Sequence, residues 1–143
     1  MRRVYEWINS SGEGVVTNWG LQAKQSTKLD SKLALLRHAE VSTSGKVDLP
    51  PGLIGGPGID GYSSIYELKV HGNVALRPML CLGPINRDSE WTVLARAVEK
   101  DNKLKPPDVA ATADGRRQDI IKHPNNRRLL WEEDEDDATN KTA

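Results

Sequence analysis

Four basic side chains in the middle of the chain are spaced in a way that bears on phosphate chemistry. In Tyr66-Glu67-Leu68-Lys69-Val70-His71, alternation along an extended backbone puts Tyr66, Leu68 and Val70 on one face and Glu67, Lys69 and His71 on the other. In the next run Val74, Leu76, Pro78, Leu80 and Leu82 oppose Ala75, Arg77, Met79 and Cys81, which makes Arg77 the lone charge. Arg96 interrupts a third run in the same way, with Trp91, Val93, Ala95 and Ala97 opposite Thr92, Leu94, Arg96 and Val98. If the apolar faces pack under helices, the other face gathers Lys69, His71, Arg77 and Arg96 into a cationic patch. Guanidinium groups fork onto phosphate oxygens and keep their charge, so arginines on a rigid sheet suit RNA backbone binding and stabilisation of a phosphorane-like transition state. Imidazole titrates near neutrality, which suits a histidine such as His71 to acid–base work, although its turn position favours a solvated side chain. The alternative for each arginine is a structural ion pair with an acid such as Glu67 or Glu99.

The elements that must hold these residues follow from periodicity. Residues 3–8 read as a first strand, with Val4, Glu6 and Ile8 on one face and Tyr5 and Trp7 on the other. Ser10 followed by Glu13 fits a capping box, which predicts a helix starting there and running with interruptions to about residue 40. Leu29, Leu33 and Leu36 form its apolar stripe, while Gly20 and Gln25-Ser26-Thr27 leave a two-helix hairpin open. Residues 42–61 are rich in Pro and Gly and read as a connector loop; they lack both a Gly-Lys-Ser/Thr ending and Gly-x-Gly-x-x-Gly spacing, which argues against a nucleotide loop. Runs at 65–70, 74–82 and 90–98 predict an antiparallel meander, and Pro106-Pro107 precedes a helix over 108–122. Together these predict a small α+β domain over residues 1–130, with helices on one side of a sheet.

Composition narrows the class. The chain has 143 residues, 37% hydrophobic and 28% charged, too apolar for wholesale disorder and suited to one domain. No apolar run approaches the roughly 20 residues of a membrane span, and the start offers no apolar signal region. A single cysteine, Cys81, and three scattered histidines suggest neither a disulfide nor a zinc site, so a reducing cytoplasmic setting without cofactor or metal is expected. The net charge of zero hides an asymmetry, because residues 132–137 are all acidic; without residues 131–143 the body carries 19 basic against 14 acidic residues. That segregation suggests nucleic-acid contact or an interaction tail, and a tail folding back on a cationic surface would mimic RNA phosphates. Trp7, Trp19, Trp91 and Trp131 are candidates for base stacking, with core packing the plainer alternative for the first three.

A family resemblance lies in the second half. Tyr66-Glu67-Leu68-Lys69-Val70, Leu76-Arg77-Pro78-Met79-Leu80, Trp91-Thr92-Val93-Leu94 and Glu99-Lys100-Asp101-Asn102-Lys103-Leu104-Lys105-Pro106-Pro107, in this order and spacing, resemble RelE/HigB-like toxins, particularly the phage-derived branch. The match covers about residues 62–123. It implies a RelE-like α+β fold and a type II toxin–antitoxin pair with a cognate antitoxin, such as a small helix-turn-helix protein encoded nearby. It also implies ribosome-dependent, metal-independent cleavage of messenger RNA in the decoding site by attack of the 2′-hydroxyl on the adjacent phosphate. By position, the resemblance assigns phosphate stabilisation to Arg77. Lys69 falls where the branch has arginine, Lys100 is placed to contact RNA or assist the leaving group, and Lys103 and Lys105 add electrostatic reach. Arg116, Arg117, Lys122, His123, Arg127 and Arg128 form a further basic cluster, either a grip on ribosomal RNA or a solvated helix end. The competing reading is a noncatalytic interaction or nucleic-acid-binding module on the same scaffold.

Overall fold

The computed structural model describes residues 1–131; the predicted acidic run at 132–137 lies outside them. The elements run β1 (Arg3–Trp7), α1 (Ala23–Leu36), β2 (Ile54–Gly55), β3 (Tyr66–Leu68), β4 (Ala75–Leu76), β5 (Met79–Leu82), β6 (Glu90–Ala95), β7 (Val98–Lys100), β8 (Lys103–Lys105), α2 (Val109–Lys122) and β9 (Arg127–Leu129). This is an α+β architecture of two helices and two sheets. The larger sheet has the order β2-β3-β5-β6-β1-β9, and only the β1–β6 pair is parallel. The smaller sheet, β4-β7-β8, is antiparallel.

The two helices lie on opposite faces of the large sheet, which corrects the expectation of helices on one side. Leu29, Leu33 and Leu36 of α1 pack with Val4, Leu68, Leu80, Trp91 and Val93. Val109, Ala110, Ala113 and Ile120 of α2 pack with Met79, Cys81 and Leu94. The reason is visible in β6, whose six residues are all buried: Trp91 and Val93 supply one apolar face and Leu94 part of the other, and a strand apolar on both faces needs a layer on each side. The second face is therefore packed rather than left as an open cationic surface.

Local structure departs from expectation in three further places. The first helix begins at Ala23, not at Ser10, and it is a single helix. Asn9 Oδ1 accepts the Ser11 and Glu13 N–H groups, and the Glu6 carboxylate accepts those of Val16 and Thr17, so the donors of a nascent first turn are already engaged. The 42–61 connector contributes β2, paired with β3, at the sheet edge. The expected strand over 74–82 is split at Arg77-Pro78, since β4 leaves the large sheet to pair with β7 while β5 stays between β3 and β6. The final helix matches its predicted span closely, with Asp108 before its first turn.

Candidate RNA-binding cleft

The predicted patch of Lys69, His71, Arg77 and Arg96 is not one surface. Arg77 is 4% exposed. Its Nη1 donates to Leu76 O and its Nη2 to Glu99 Oε2, both at 2.9 Å, and its Nε lies 3.4 Å from Glu67 Oε1 without hydrogen-bond geometry. The backbone N–H of Arg77 also donates to Ala97 O. The residue therefore ties β7 to the strands beneath it, and the structural pairing with Glu67 and Glu99 is what is observed. Burial raises the Glu67 carboxyl above its ordinary range, and the Arg77 charge offsets only part of that. Lys69 is half-buried beside β2, where its backbone N–H donates to Leu53 O. His71 is exposed, 3.3 Å from Gly52 O, and lines a separate cavity with Lys24 and Lys28.

Arg96 instead meets Arg116 at a cleft of about 380 Å³ built from four parts of the chain. The end of β1 gives Trp7, the loop after it gives Asn9, Glu13, Gly14 and Val15, the exit of β6 gives Ala95 and Arg96, and the entry to α2 gives Pro106, Val109, Thr112 and Arg116. Arg116 is held on two sides. Its guanidinium carbon lies 4.1 Å from the centroid of the Trp7 ring, and its Nη1 donates to Leu94 O at 3.0 Å. Trp7 is fixed in turn, since its Nε1 donates to Asp119 Oδ2 at 3.0 Å. Arg96 is exposed at the rim, with Nη1 donating to Asn18 O at 2.7 Å.

Among the described residues neither Arg96 nor Arg116 has a carboxylate partner, whereas Arg77, Arg117, Arg127 and Arg128 are paired with Glu67 and Glu99, Asp114, Glu90 and Glu6 respectively. Burial, and after it the charge of Arg96, lowers the pKa of Arg116, although a guanidinium remains protonated at any ordinary pH. Two like charges held together without a counterion make a site that an anion would complete.

A lysine-bearing hairpin leads into this cleft. Asp101 and Asn102 both have positive φ, 54° and 61°, as a two-residue turn between right-twisted strands requires. Lys100 pairs across from Lys103, and Lys105 lies two residues further on the same face, so all three exposed lysines share one side of β7–β8. Like charges directly opposite one another disfavour the hairpin, so this face has a cost that solvent contact alone does not explain. Pro106, the next residue, lines the cleft.

The remaining predicted residues do structural work or lie elsewhere. Arg117 pairs with Asp114, Arg127 with Glu90 at 2.7 Å, and Arg128 with the buried Glu6 at 3.1 Å; Lys122 and His123 are exposed at the end of α2. Cys81 is buried and its thiol pKa is pushed up to about 12, which disfavours the thiolate. Among the described residues no cluster of His, Cys, Asp or Glu is gathered as metal ligands, and no helix is long and apolar enough to cross a membrane. Of the tryptophans, Trp91 is in the core as expected, while Trp7 is partly buried and faces the cleft. Sequence reasoning missed Asn9 and Glu13, reading Glu13 as a helix cap; Gly12 and Gly14 on either side of Glu13 were the available sign of a shaped loop. Comparison with protein-family models, curated proteins and solved structures found no match.

Proposed function

We propose that this chain is a metal-independent endoribonuclease of RelE/HigB type, and that it holds RNA in the Arg96–Arg116 cleft. The observation that carries this reading is the pair of guanidiniums without carboxylate partners, continued by the lysine face of the β7–β8 hairpin. Such an arrangement suits a single strand whose scissile phosphate lies between the arginines and whose flanking phosphates follow the lysines. The phosphate-contacting role that the resemblance gives to Arg77 passes in this reading to Arg96 and Arg116, and Arg77 anchors the hairpin instead. Messenger RNA on the ribosome as substrate, and an antitoxin covering the cleft, rest on the sequence resemblance together with the α+β architecture.

The test is cleavage of a 5′-labelled messenger RNA, free and on ribosomes with an empty decoding site. Wild type is expected to cut on ribosomes, and Arg116→Ala to cut at least about 10²-fold more slowly, as when one transition-state donor is removed. RNA binding without any cleavage would favour the noncatalytic module, and full activity in both Arg96→Ala and Arg116→Ala would remove the cleft from the reaction.

A further inference from the structure

The cleft contains one acidic side chain, and its placement differs from that of every acid paired to an arginine in the fold. Glu13 is exposed and lines the same cavity as Arg96 and Arg116, yet forms no ion pair with either. A carboxylate kept only to neutralise the guanidiniums would close on them, as Glu99 does on Arg77 and Glu90 on Arg127. Here opposite charges flank an open volume.

The loop holds Glu13 in place from both sides. Asn9 Nδ2 donates to Glu13 Oε1 at 3.1 Å, and Asn9 Oδ1 accepts the Glu13 N–H at 2.9 Å. On the other side, Gly14 donates its N–H to Asn18 Oδ1 and passes so close to the Glu6 carboxylate that a Cβ there would collide with it. Among the described residues Glu13 Oε2 accepts no hydrogen bond. One carboxylate oxygen is anchored and the other has no hydrogen-bond donor among the described residues, on a side chain that lines the cleft, as a proton acceptor at a held position needs.

We propose that Glu13 is the general base of this site, a step that rests on the ribonuclease reading above. The proton of the ribose 2′-hydroxyl passes to Glu13 Oε2 while the 2′-oxygen bonds to the adjacent phosphorus. The bond from phosphorus to the 5′-oxygen of the next nucleotide breaks, that oxygen takes a proton from water, and the hydroxide so formed takes the proton from Glu13, restoring water and the carboxylate. The products are a 2′,3′-cyclic phosphate and a free 5′-hydroxyl, with no change in oxidation state. Arg96 and Arg116 stay protonated throughout and hold the charge on the phosphoryl oxygens. The substrate class is RNA and not DNA, because the nucleophile is the 2′-hydroxyl.

The test compares wild type, Glu13→Gln and Arg96→Ala on ribosome-bound messenger RNA in single-turnover cleavage across pH. Binding is measured alongside with the same RNA carrying a 2′-deoxy nucleotide at the scissile position. Glu13→Gln is expected to slow cleavage about 10²- to 10⁴-fold, to flatten the rise of rate with pH on the acid side, and to bind the deoxy RNA at least as tightly as wild type, because a negative charge beside the phosphate is gone. Arg96→Ala weakens that binding. A Glu13→Gln rate within about threefold of wild type, with an unchanged pH profile and Arg96→Ala inactive, overturns the role of Glu13 and leaves the ribonuclease reading standing. Binding without cleavage by wild type overturns both.

Discussion

A guanidinium enclosed by carboxylates and one left at a cleft rim answer differently to removal. Arg77→Ala leaves Glu67 and Glu99 facing each other without a cation, and is expected to cost about 3 kcal/mol, the low end for breaking a buried pair because Glu99 keeps part of its solvent contact. Arg96→Ala deletes an exposed side chain with one hydrogen bond and is expected to stay within about 0.5 kcal/mol of wild type. Urea melts of the two variants give both numbers, and equal losses would show that Arg96 is structural. Asp119 offers a pH test. Hydrogen bonds from Trp7 and then Asn126 hold its carboxyl below the ordinary range, so its contribution to stability is present above the unfolded carboxylate value and is lost as pH falls through the lower folded one. Thermal melts from about pH 5 to pH 2 should therefore show a shallower fall in Asp119→Ala than in wild type. At this scale the sequence offered both fates for Arg77, a phosphate contact or a structural pair with Glu67 or Glu99; the choice was not legible because those acids lie on β3 and β7, and only the folded chain brings those strands to it.

The element that shapes the cleft is the segment between β1 and α1, and it is organised by a side chain outside it. Glu6 is fully buried and accepts the N–H groups of Val16 and Thr17, the Thr17 hydroxyl and the Arg128 guanidinium of β9. Glu6→Ala orphans two backbone donors and one guanidinium, and is expected to cost about 3 kcal/mol. RNA cleavage should fall with it, because Asn9 and Glu13 ride on that segment. Retention of both stability and cleavage would mean that the segment holds its shape alone. A capping-box reading of Ser10 and Glu13 had no access to this, since it weighs neighbours in sequence while Glu6 reaches ten positions along the chain to Val16. By contrast α2 was legible: Pro106-Pro107 stops the preceding strand, and Val109, Ala110, Ala113 and Ile120 supply a local buried stripe. The apolar run of β6 was legible as a strand, but not as one covered on both faces, because which helix covers each face is decided by chain connections and not by the strand.

At the scale of all the described residues, basic side chains gather at the cleft and along the hairpin beside it. Arg96 and Arg116 meet at the cleft, and Lys100, Lys103 and Lys105 line the hairpin that ends at its rim. Replacing the three lysines with alanine is expected to reduce the slope of log affinity against log salt by about 2 for single-stranded RNA, with little change in cleavage at saturating substrate. An unchanged slope would place the RNA elsewhere. The layered arrangement also has a consequence for how the molecule is made. β1 lies inside the sheet, with β6 on one side and β9 on the other, so both of its partners are made well after it. The cleft is walled by β1, the exit of β6 and the entry to α2, segments far apart along the chain. On the proposed reading, RNA cleavage waits until β6 and α2 have been made and have folded against β1.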